Sequence, residues 1–105
     1  MTRIQVIRYR TTPQALAENR AAISRIYAEL DALRPDGFRY GTLVLPDEQT
    51  FIHLSVSDGP VPLPDLPAFQ EFQRELPARI VDGVSAQPAE FVGTYRIIEA
   101  QTDVR

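Results

Sequence analysis

The sequence predicts an α+β fold in which one four-stranded antiparallel sheet carries two helices on one face. The spacing of apolar residues changes along the chain in the order strand, helix, strand, strand, helix, strand. A single sheet with both helices on one face is the simplest arrangement that buries both apolar helical stripes. A length of 105 residues suits one hydrophobic core. We therefore expect a single domain over residues 1–105.

The first strand and the first helix have the clearest patterns. Apolar residues on both faces of 4–9 predict a strand that is covered on both sides. Thr12 and Pro13 then suit the N-cap and the first position of a helix. The apolar stripe of that helix consists of Leu16, Ile23, Ile26, Tyr27, Leu30 and Leu33. The helix is expected to end just before Pro35, because proline disfavours a helical conformation in the residue that precedes it.

The next two strands are predicted over 38–45 and 51–57. The polar connection between them is short, which favours an antiparallel hairpin over a crossover. The proline-rich segment 58–67 follows, and its prolines forbid both helix and ladder pairing. The chain is therefore expected to leave the sheet as a loop after the hairpin.

A short second helix is predicted to begin at Pro67, with Asp65 as its cap. Pro77 is expected to break or kink it. After a further loop, residues 91–98 have the pattern of the last strand, and 101–105 are expected to form a loose tail.

Composition excludes several classes of function. A net charge of −3 argues against nucleic acid as a partner. No stretch approaches the length of a membrane span, so we expect a cytoplasmic protein that does not enter a membrane. The absence of cysteine rules out disulfides and thiolate metal sites, and a single histidine leaves a metal without ligands. No metal is therefore expected, and with no glycine-rich phosphate loop in the sequence no cofactor is expected either.

Aliphatic residues occupy both faces of the predicted strands. Ile52, Leu54 and Val56, for example, alternate with Phe51. Two helices can cover only one face, and an apolar sheet face left in water promotes aggregation. The pattern therefore predicts a homodimer in which the two bare sheet faces pack together.

This arrangement resembles the dimeric α+β barrel superfamily, which has the ferredoxin-like βαββαβ order. Within it, the chain is similar to the antibiotic-biosynthesis-monooxygenase-like family. The resemblance covers most of the chain and rests on 4–10, on 50–54, and on 67–72, which matches a Pro-x-Phe-x-x-Phe segment common in such proteins. It implies a ligand cavity between the sheet and the helices. It also implies cofactor-independent monooxygenase activity on aromatic or polyketide-like substrates.

The chain departs from the residue set that this family tends to use. Oxygenases of this type tend to place asparagine, tryptophan and histidine around the cavity. Here Asn19 is the single asparagine, tryptophan is absent, and Ala68 stands where relatives often have histidine. Two functions therefore remain open. One is a monooxygenase-like enzyme, and the other is a non-catalytic dimeric binding or accessory protein for a small apolar or aromatic ligand.

His53 is the candidate catalytic residue, because an imidazole titrates near working pH. Its position between Ile52 and Leu54 turns it away from the aliphatic row. The alternatives for His53 are a hydrogen-bonded packing residue and an axial ligand to haem. Arg8 and Arg96 are expected on the first and last strands as neighbours. There they would bind a carboxylate or enolate oxygen, or else reach solvent or an acidic group.

The remaining pocket candidates are aromatic. Tyr40, like Tyr9 and Tyr95, could donate a hydrogen bond to a phenolic or quinone ligand, or to the backbone. Phe69 and Phe72 either seal the second helix to the sheet or form part of a lid over a flat apolar ligand.

Overall fold

The computed structural model describes residues 2–97, which form one four-stranded antiparallel sheet and two α-helices. In chain order these elements are β1 (Arg3–Arg10), α1 (Leu16–Leu33), β2 (Phe38–Val44), β3 (Thr50–Ser57), α2 (Pro67–Glu75) and β4 (Ser85–Ala89). The strand order in the sheet is β2-β3-β1-β4. This topology confirms the predicted ferredoxin-like α+β fold. Neither helix within residues 2–97 is long and apolar enough to cross a lipid bilayer.

The register of the sheet separates the side chains into two faces. Tyr9 lies opposite Phe51, and His53 lies between Ile7 on one neighbouring strand and Thr42 on the other. Because alternate residues of a strand point to opposite faces, these side chains share the face that the helices cover. The core on that face is built from Tyr9, Ala22, Ile23, Ile26, Phe51, Leu63, Leu66, Ala68, Phe72 and Leu76.

Helix α1 begins and ends near the positions that the sequence predicts. Thr12 is extended, Pro13 opens a short 3-10 turn, and the α-helix proper begins at Leu16. At the other end Arg34 adopts a left-handed conformation with φ of 51°, and its N–H donates to the carbonyl of Leu30 at 2.7 Å. This closing hydrogen bond is typical of a helix C-terminus.

The turn between β2 and β3 is held by Asp47. Its carboxylate accepts hydrogen bonds from the N–H groups of Gln49 and Thr50, both at 2.9 Å, and from the Thr50 hydroxyl at 2.6 Å. These three donors favour the ionised carboxylate and lower the pKa of Asp47 to about 2. The turn therefore fixes the register of the hairpin, and this register places His53 opposite Thr42.

The prediction that Asp65 caps α2 is wrong. The proline-rich loop places Asp65 inside a 3-10 turn, and the N-cap position falls to Leu66. The N–H of Ala68 instead donates to a carboxylate oxygen of Glu29 on α1, at 3.0 Å. At its other end α2 gives way after Glu75 to a 3-10 turn around Pro77, as predicted.

The last strand is Ser85–Ala89, so the prediction of a strand over 91–98 is wrong. This strand pairs with β1 at the edge of the sheet, and all five of its residues are exposed. An edge strand with no covered face needs no apolar alternation, and Pro88 is tolerated there because one side of the strand has no neighbour. Residues 91–97 are irregular, and the predicted tail over 101–105 lies outside the described residues.

The sheet face opposite the helices carries the aliphatic row that the sequence predicts. Ile4, Val6, Ile52 and Leu54 are half-buried on it, and Leu43 is 61% exposed. Their alternation with His53 and Tyr9 follows from the register. Within the single chain this face is only partly shielded from water.

Candidate functional site

A cavity of about 320 Å³ lies between the sheet and the segment that contains α2 and the following turn. The residues that line it are Ile7, Tyr9, Tyr40, His53, Phe69, Phe72, Gln73, Leu76, Pro77, Ile80, Val84 and Ala86. Those at its outer end, such as Gln73, Pro77 and Val84, are exposed. Among these lining residues none is charged. The volume is at the lower end of the range for small-molecule sites.

His53 lies at the buried end of the cavity, where its side chain is 2% exposed. Its ring stacks between the rings of Tyr9 and Tyr40, with centroid distances of 5.4 and 5.9 Å. The ring of Phe72 from α2 meets it edge-on at 5.9 Å. Three adjacent strands and one helix therefore hold the imidazole in a single orientation.

Both ring nitrogens of His53 are within hydrogen-bond distance of hydroxyl groups. Nε2 is 2.8 Å from the Tyr9 hydroxyl. Nδ1 is 3.0 Å from the Tyr40 hydroxyl and 3.0 Å from the Thr42 hydroxyl. The Tyr27 hydroxyl of α1 extends this side of the network, at 2.8 Å from Thr42.

On the other side the network continues from Tyr9 into the core. The Tyr9 hydroxyl accepts a hydrogen bond from the Asn19 side-chain amide at 3.0 Å. Asn19 is fully buried on α1, and its carbonyl oxygen accepts from Nε of Arg79 at 3.0 Å. A continuous chain of hydrogen bonds thus runs from Arg79 through Asn19 and Tyr9 to His53.

Arg79 is a buried cation at the inner end of this chain, with 3% of its surface exposed. The 3-10 turn after α2 brings it there, and its Nη1 lies 3.4 Å from Glu75 and 3.9 Å from Glu18. Its guanidinium carbon is 5.6 Å from the centre of the Phe72 ring, a cation–π contact. Nη2 has no hydrogen-bond partner among the described residues.

The three groups at the end of the cavity are neutral at neutral pH, and burial shifts the pKa of each further from pH 7. It lowers the pKa of His53 to about 4, because the imidazolium loses its hydration. Burial also raises the pKa of Tyr9 to about 12, although the Asn19 hydrogen bond and the charge of Arg79 oppose the shift. The pKa of Tyr40 is raised above its ordinary value for the same reason. The site therefore presents an uncharged imidazole with a phenol on each side.

The structure brings four of the six predicted site residues together. His53, Tyr40, Phe69 and Phe72 all line the cavity. The roles assigned to them stay predictions.

The two arginines lie elsewhere, so the prediction that they are neighbours is wrong. Arg8 pairs with Ile52 and Ser85, which places it on the sheet face opposite the cavity. Arg96 follows the last strand instead of lying within it, and its guanidinium stacks on the ring of Tyr95 at 5.2 Å. The cause is the position of β4, which ends at Ala89.

Sequence reasoning missed Arg79, Thr42 and the place of Asn19 in the network. Asn19 and Arg79 are 60 residues apart, and no local pattern indicates that they meet. A weak signal exists in the segment Leu76–Ile80, where Arg79 is the one charged residue in an otherwise apolar stretch. Asn19 likewise falls on the apolar side of α1, one turn from Ile23.

The geometry offers no set of metal ligands. Among residues 2–97, no three histidine, aspartate or glutamate side chains lie close enough together to hold a metal ion. Both nitrogens of His53 already face hydroxyl groups at 2.8–3.0 Å. The chemistry available at this site is proton transfer, together with hydrogen bonding to a polar atom of an otherwise apolar ligand.

Solved structures of other proteins share this fold. A putative antibiotic biosynthesis monooxygenase from Bacteroides thetaiotaomicron is similar over 87% of this chain and 90% of its own, with a TM-score of 0.72 and 12% identity. A second putative antibiotic biosynthesis monooxygenase, from Caulobacter crescentus, is similar over 88% of this chain and 91% of its own, with a TM-score of 0.71 and 14% identity.

A third similar structure is SnoaB, a cofactor-independent oxygenase from Streptomyces nogalater, in a mutant form. The similarity covers 89% of this chain and 95% of that one, with a TM-score of 0.65 and 19% identity. No family model matches the sequence, and no curated protein matches it. The likeness confirms the fold, and with it the predicted resemblance to antibiotic biosynthesis monooxygenase-like proteins.

Proposed function

We propose that this chain, whose fold is that of antibiotic biosynthesis monooxygenase-like proteins, binds a flat aromatic or polyketide-like molecule in its cavity and oxygenates it without a cofactor. The observation that carries the proposal is the position of His53. This imidazole lies at the buried end of an apolar cavity, with tyrosine hydroxyls at 2.8 and 3.0 Å from its two nitrogens. Four aromatic rings and a set of mainly aliphatic side chains line the rest of the cavity, which suits a flat apolar ligand.

The first step is removal of a proton from a carbon that is activated by a carbonyl group and by aromatic rings. That proton passes to the Tyr9 oxygen as the Tyr9 proton transfers to Nε2 of His53, across an O–N distance of 2.8 Å. The resulting enolate lies beside the new imidazolium, and this charge pairing offsets the burial that otherwise disfavours protonated His53. The Tyr40 hydroxyl stabilises the enolate oxygen, which is the role first assigned to Arg8 and Arg96.

The carbanion form of the enolate then transfers its electrons to dissolved O₂, which is the second substrate. With anthrone as the probe, the methylene carbon loses two hydrogens and gains one oxygen atom. The second oxygen atom leaves as water, so that anthrone and O₂ yield anthraquinone and water. The protein contributes a site that excludes water, a proton acceptor and a hydrogen-bond donor to the oxyanion.

The test is oxygen consumption with anthrone, together with the absorbance of anthraquinone. We expect His53→Gln and Tyr9→Phe each to lower kcat/KM by about a hundredfold or more, which is the usual loss for a missing proton-transfer group. Arg96→Ala is the control and should retain the wild-type rate, since Arg96 lies outside the cavity. Unchanged turnover in His53→Gln would remove the assignment.

A second candidate is a binding or accessory protein that performs no chemistry. It is favoured by the low pKa of His53, about 4, and by the hydrogen bonds already made at both of its nitrogens. It predicts a rise in Tm on addition of an aromatic ligand, with no O₂ consumed. A haem-binding variant is less suited to the cavity, because neither nitrogen of His53 is free to ligate iron.

We also propose that two copies of the chain pack through the sheet face that carries Ile4, Val6, Ile52 and Leu54. These residues are only half-buried in the single chain, and Leu43 beside them is 61% exposed. Covering such a row removes apolar surface from water and so favours association. Arg8 lies on the same face, where its aliphatic stem can pack while its charge reaches the rim.

A further inference from the structure

We propose that Arg79 and Asn19 are positioning residues that set the direction of the hydrogen-bond chain ending at the cavity. In this scheme they hold neutral His53 as the tautomer protonated at Nδ1, and they leave the Tyr40 hydroxyl proton free for a carbonyl oxygen of the ligand. The tautomer follows from the geometry of the protein alone. The role of Tyr40 toward a ligand rests on the proposed function.

The direction is set at Arg79, because a guanidinium group can only donate hydrogen bonds. Its Nε lies 3.0 Å from the Asn19 side chain, so the Asn19 atom that faces it must be the carbonyl oxygen. The amide NH₂ of Asn19 is thereby turned toward Tyr9, at 3.0 Å. A buried arginine thus decides which way a buried asparagine points.

The next link is Tyr9, whose oxygen accepts the hydrogen bond from Asn19. Its own proton needs an acceptor, because a buried hydroxyl without a partner is destabilising. Among the described residues the acceptor within reach is Nε2 of His53, at 2.8 Å. The raised pKa of Tyr9, about 12, keeps that proton on the phenol at neutral pH.

His53 then determines the direction of the hydrogen bonds to Tyr40 and Thr42. A neutral imidazole has one N–H, and if Nε2 accepts from Tyr9, the proton is on Nδ1. Nδ1–H donates to the hydroxyl oxygens of Tyr40 and Thr42, each at 3.0 Å. Thr42 has a further partner in Tyr27.

Tyr40 differs from Thr42 because, within residues 2–97, its hydroxyl is within hydrogen-bond distance of the His53 side chain and of no other side chain. Since it accepts from His53, its own proton is available. Tyr40 lines the cavity, so that proton can be donated to a ligand atom that accepts hydrogen bonds. A carbonyl oxygen meets this requirement, and a hydrocarbon of the same shape does not.

The tautomer can be observed directly, because the chain contains one histidine. In protein labelled with ¹⁵N-histidine, we expect the two ring-nitrogen signals at pH 7 to show protonated Nδ1 and unprotonated Nε2. An Nε2–H tautomer in the wild-type protein would overturn the proposal without any variant.

Asn19→Asp is the reversing variant. Beside Arg79 the carboxylate stays ionised and can only accept hydrogen bonds, so the Tyr9 hydroxyl donates its hydrogen bond to it. Tyr9 must then accept from Nε2–H of His53, and Nδ1 accepts from Tyr40. We expect the two ¹⁵N signals to exchange their character, and retention of Nδ1–H in a folded Asn19→Asp variant would refute the relay.

Two further variants distinguish a change in hydrogen-bond direction from a nonspecific disturbance of the core. Arg79→Met removes the donor that orients Asn19, and we expect a mixture of both tautomers. Tyr27→Phe deletes a partly buried hydroxyl at the far end of the network, and it should leave the Nδ1–H tautomer unchanged. A pure Nδ1–H signal in Arg79→Met contradicts the proposal, and this result also decides the matter if Asn19→Asp does not fold.

The role of Tyr40 toward a ligand is tested with 9-fluorenone and fluorene, which have the same shape but differ in the carbonyl oxygen. We expect Tyr40→Phe to raise the Kd for fluorenone about tenfold, the effect of one buried hydrogen bond, and to leave that for fluorene unchanged. Equal effects on both probes would refute the role of Tyr40. If neither probe binds the wild-type protein, the proposed function fails, and the tautomer measurement still judges the relay.

Discussion

His53 is an imidazole that has lost nearly all contact with water and is bonded at both ring nitrogens. Alternation along β3 is sufficient to predict which sheet face it occupies, because strand geometry has a period of two residues. The partners of His53 are a different matter. Asn19 and Arg79 reach it through contacts between distant parts of the chain, and such contacts follow from tertiary packing that local patterns do not encode.

The burial of His53 makes the stability of the fold depend on pH. Its pKa is about 4 in the folded chain and 6.5 when exposed, so the unfolded chain binds the proton more readily between these values. Stability is therefore fully present above about pH 6.5 and is lost as pH falls toward 4. The loss amounts to about 3 kcal/mol.

Urea unfolding at a series of pH values between 7 and 4 measures this effect. We expect the free energy of unfolding of His53→Gln to change less with pH than that of the wild type over the upper half of the range, where carboxyl groups do not yet titrate. Arg96→Ala should keep the wild-type slope, because Arg96 is exposed. Equal slopes for His53→Gln and the wild type would mean that the folded chain admits the proton freely.

Helix α2 contributes Phe69, Phe72 and Gln73 to the cavity wall, and its start depends on a residue of α1. Glu29 accepts the hydrogen bond of the Ala68 N–H at 3.0 Å, so a carboxylate from one helix stabilises the N-terminus of the other. Sequence patterns place α2 correctly from Pro67 onward but assign its cap to Asp65. The error arises because a local cap is the usual case, whereas here the proline-rich loop turns Asp65 away.

Glu29→Ala should lower the free energy of unfolding by about 1 kcal/mol, the usual contribution of a helix cap. The reason is that the Ala68 N–H loses its acceptor. Asp31→Ala, an exposed change on the same helix, is the matched control and should shift stability by less than about 0.5 kcal/mol. Equal losses in the two variants would show that Glu29 contributes only general charge to α1.

The strands show where patterning succeeds and where it fails. Each of β1, β2 and β3 buries side chains against the helices or against other strands. Their sequences therefore carry apolar residues in a strand pattern, which indicates them clearly. β4 contains Ser85, Ala86, Gln87, Pro88 and Ala89, and nothing in this composition predicts a strand. It forms a strand because it pairs with β1, whose edge would otherwise have no neighbouring strand. The segment 91–98 that follows has the apolar pattern of a strand, but residues 91–97 are irregular.

The molecule as a whole has one sheet face covered by helices and one face that bears an aliphatic row. We expect the chain to sediment as a dimer, with about twice the mass of the 11.8 kDa protomer. Leu54→Lys places a charge at the centre of the proposed interface and should yield the protomer at micromolar concentration. Leu33→Lys is the matched control, since Leu33 is 57% exposed at the end of α1, away from the sheet.

A dimer that persists in Leu54→Lys would place the interface elsewhere. A wild-type protein that sediments at 11.8 kDa would contradict the dimer itself.

Pro88 limits how the molecule can grow. It lies in β4 at the outer margin of the sheet, where its ring nitrogen has no hydrogen to offer another backbone. Side-by-side addition of foreign strands at this margin is therefore disfavoured, which removes one common route to cross-β fibrils. In concentrated solution any strand addition should therefore occur at β2, which forms the opposite margin of the sheet and contains no proline.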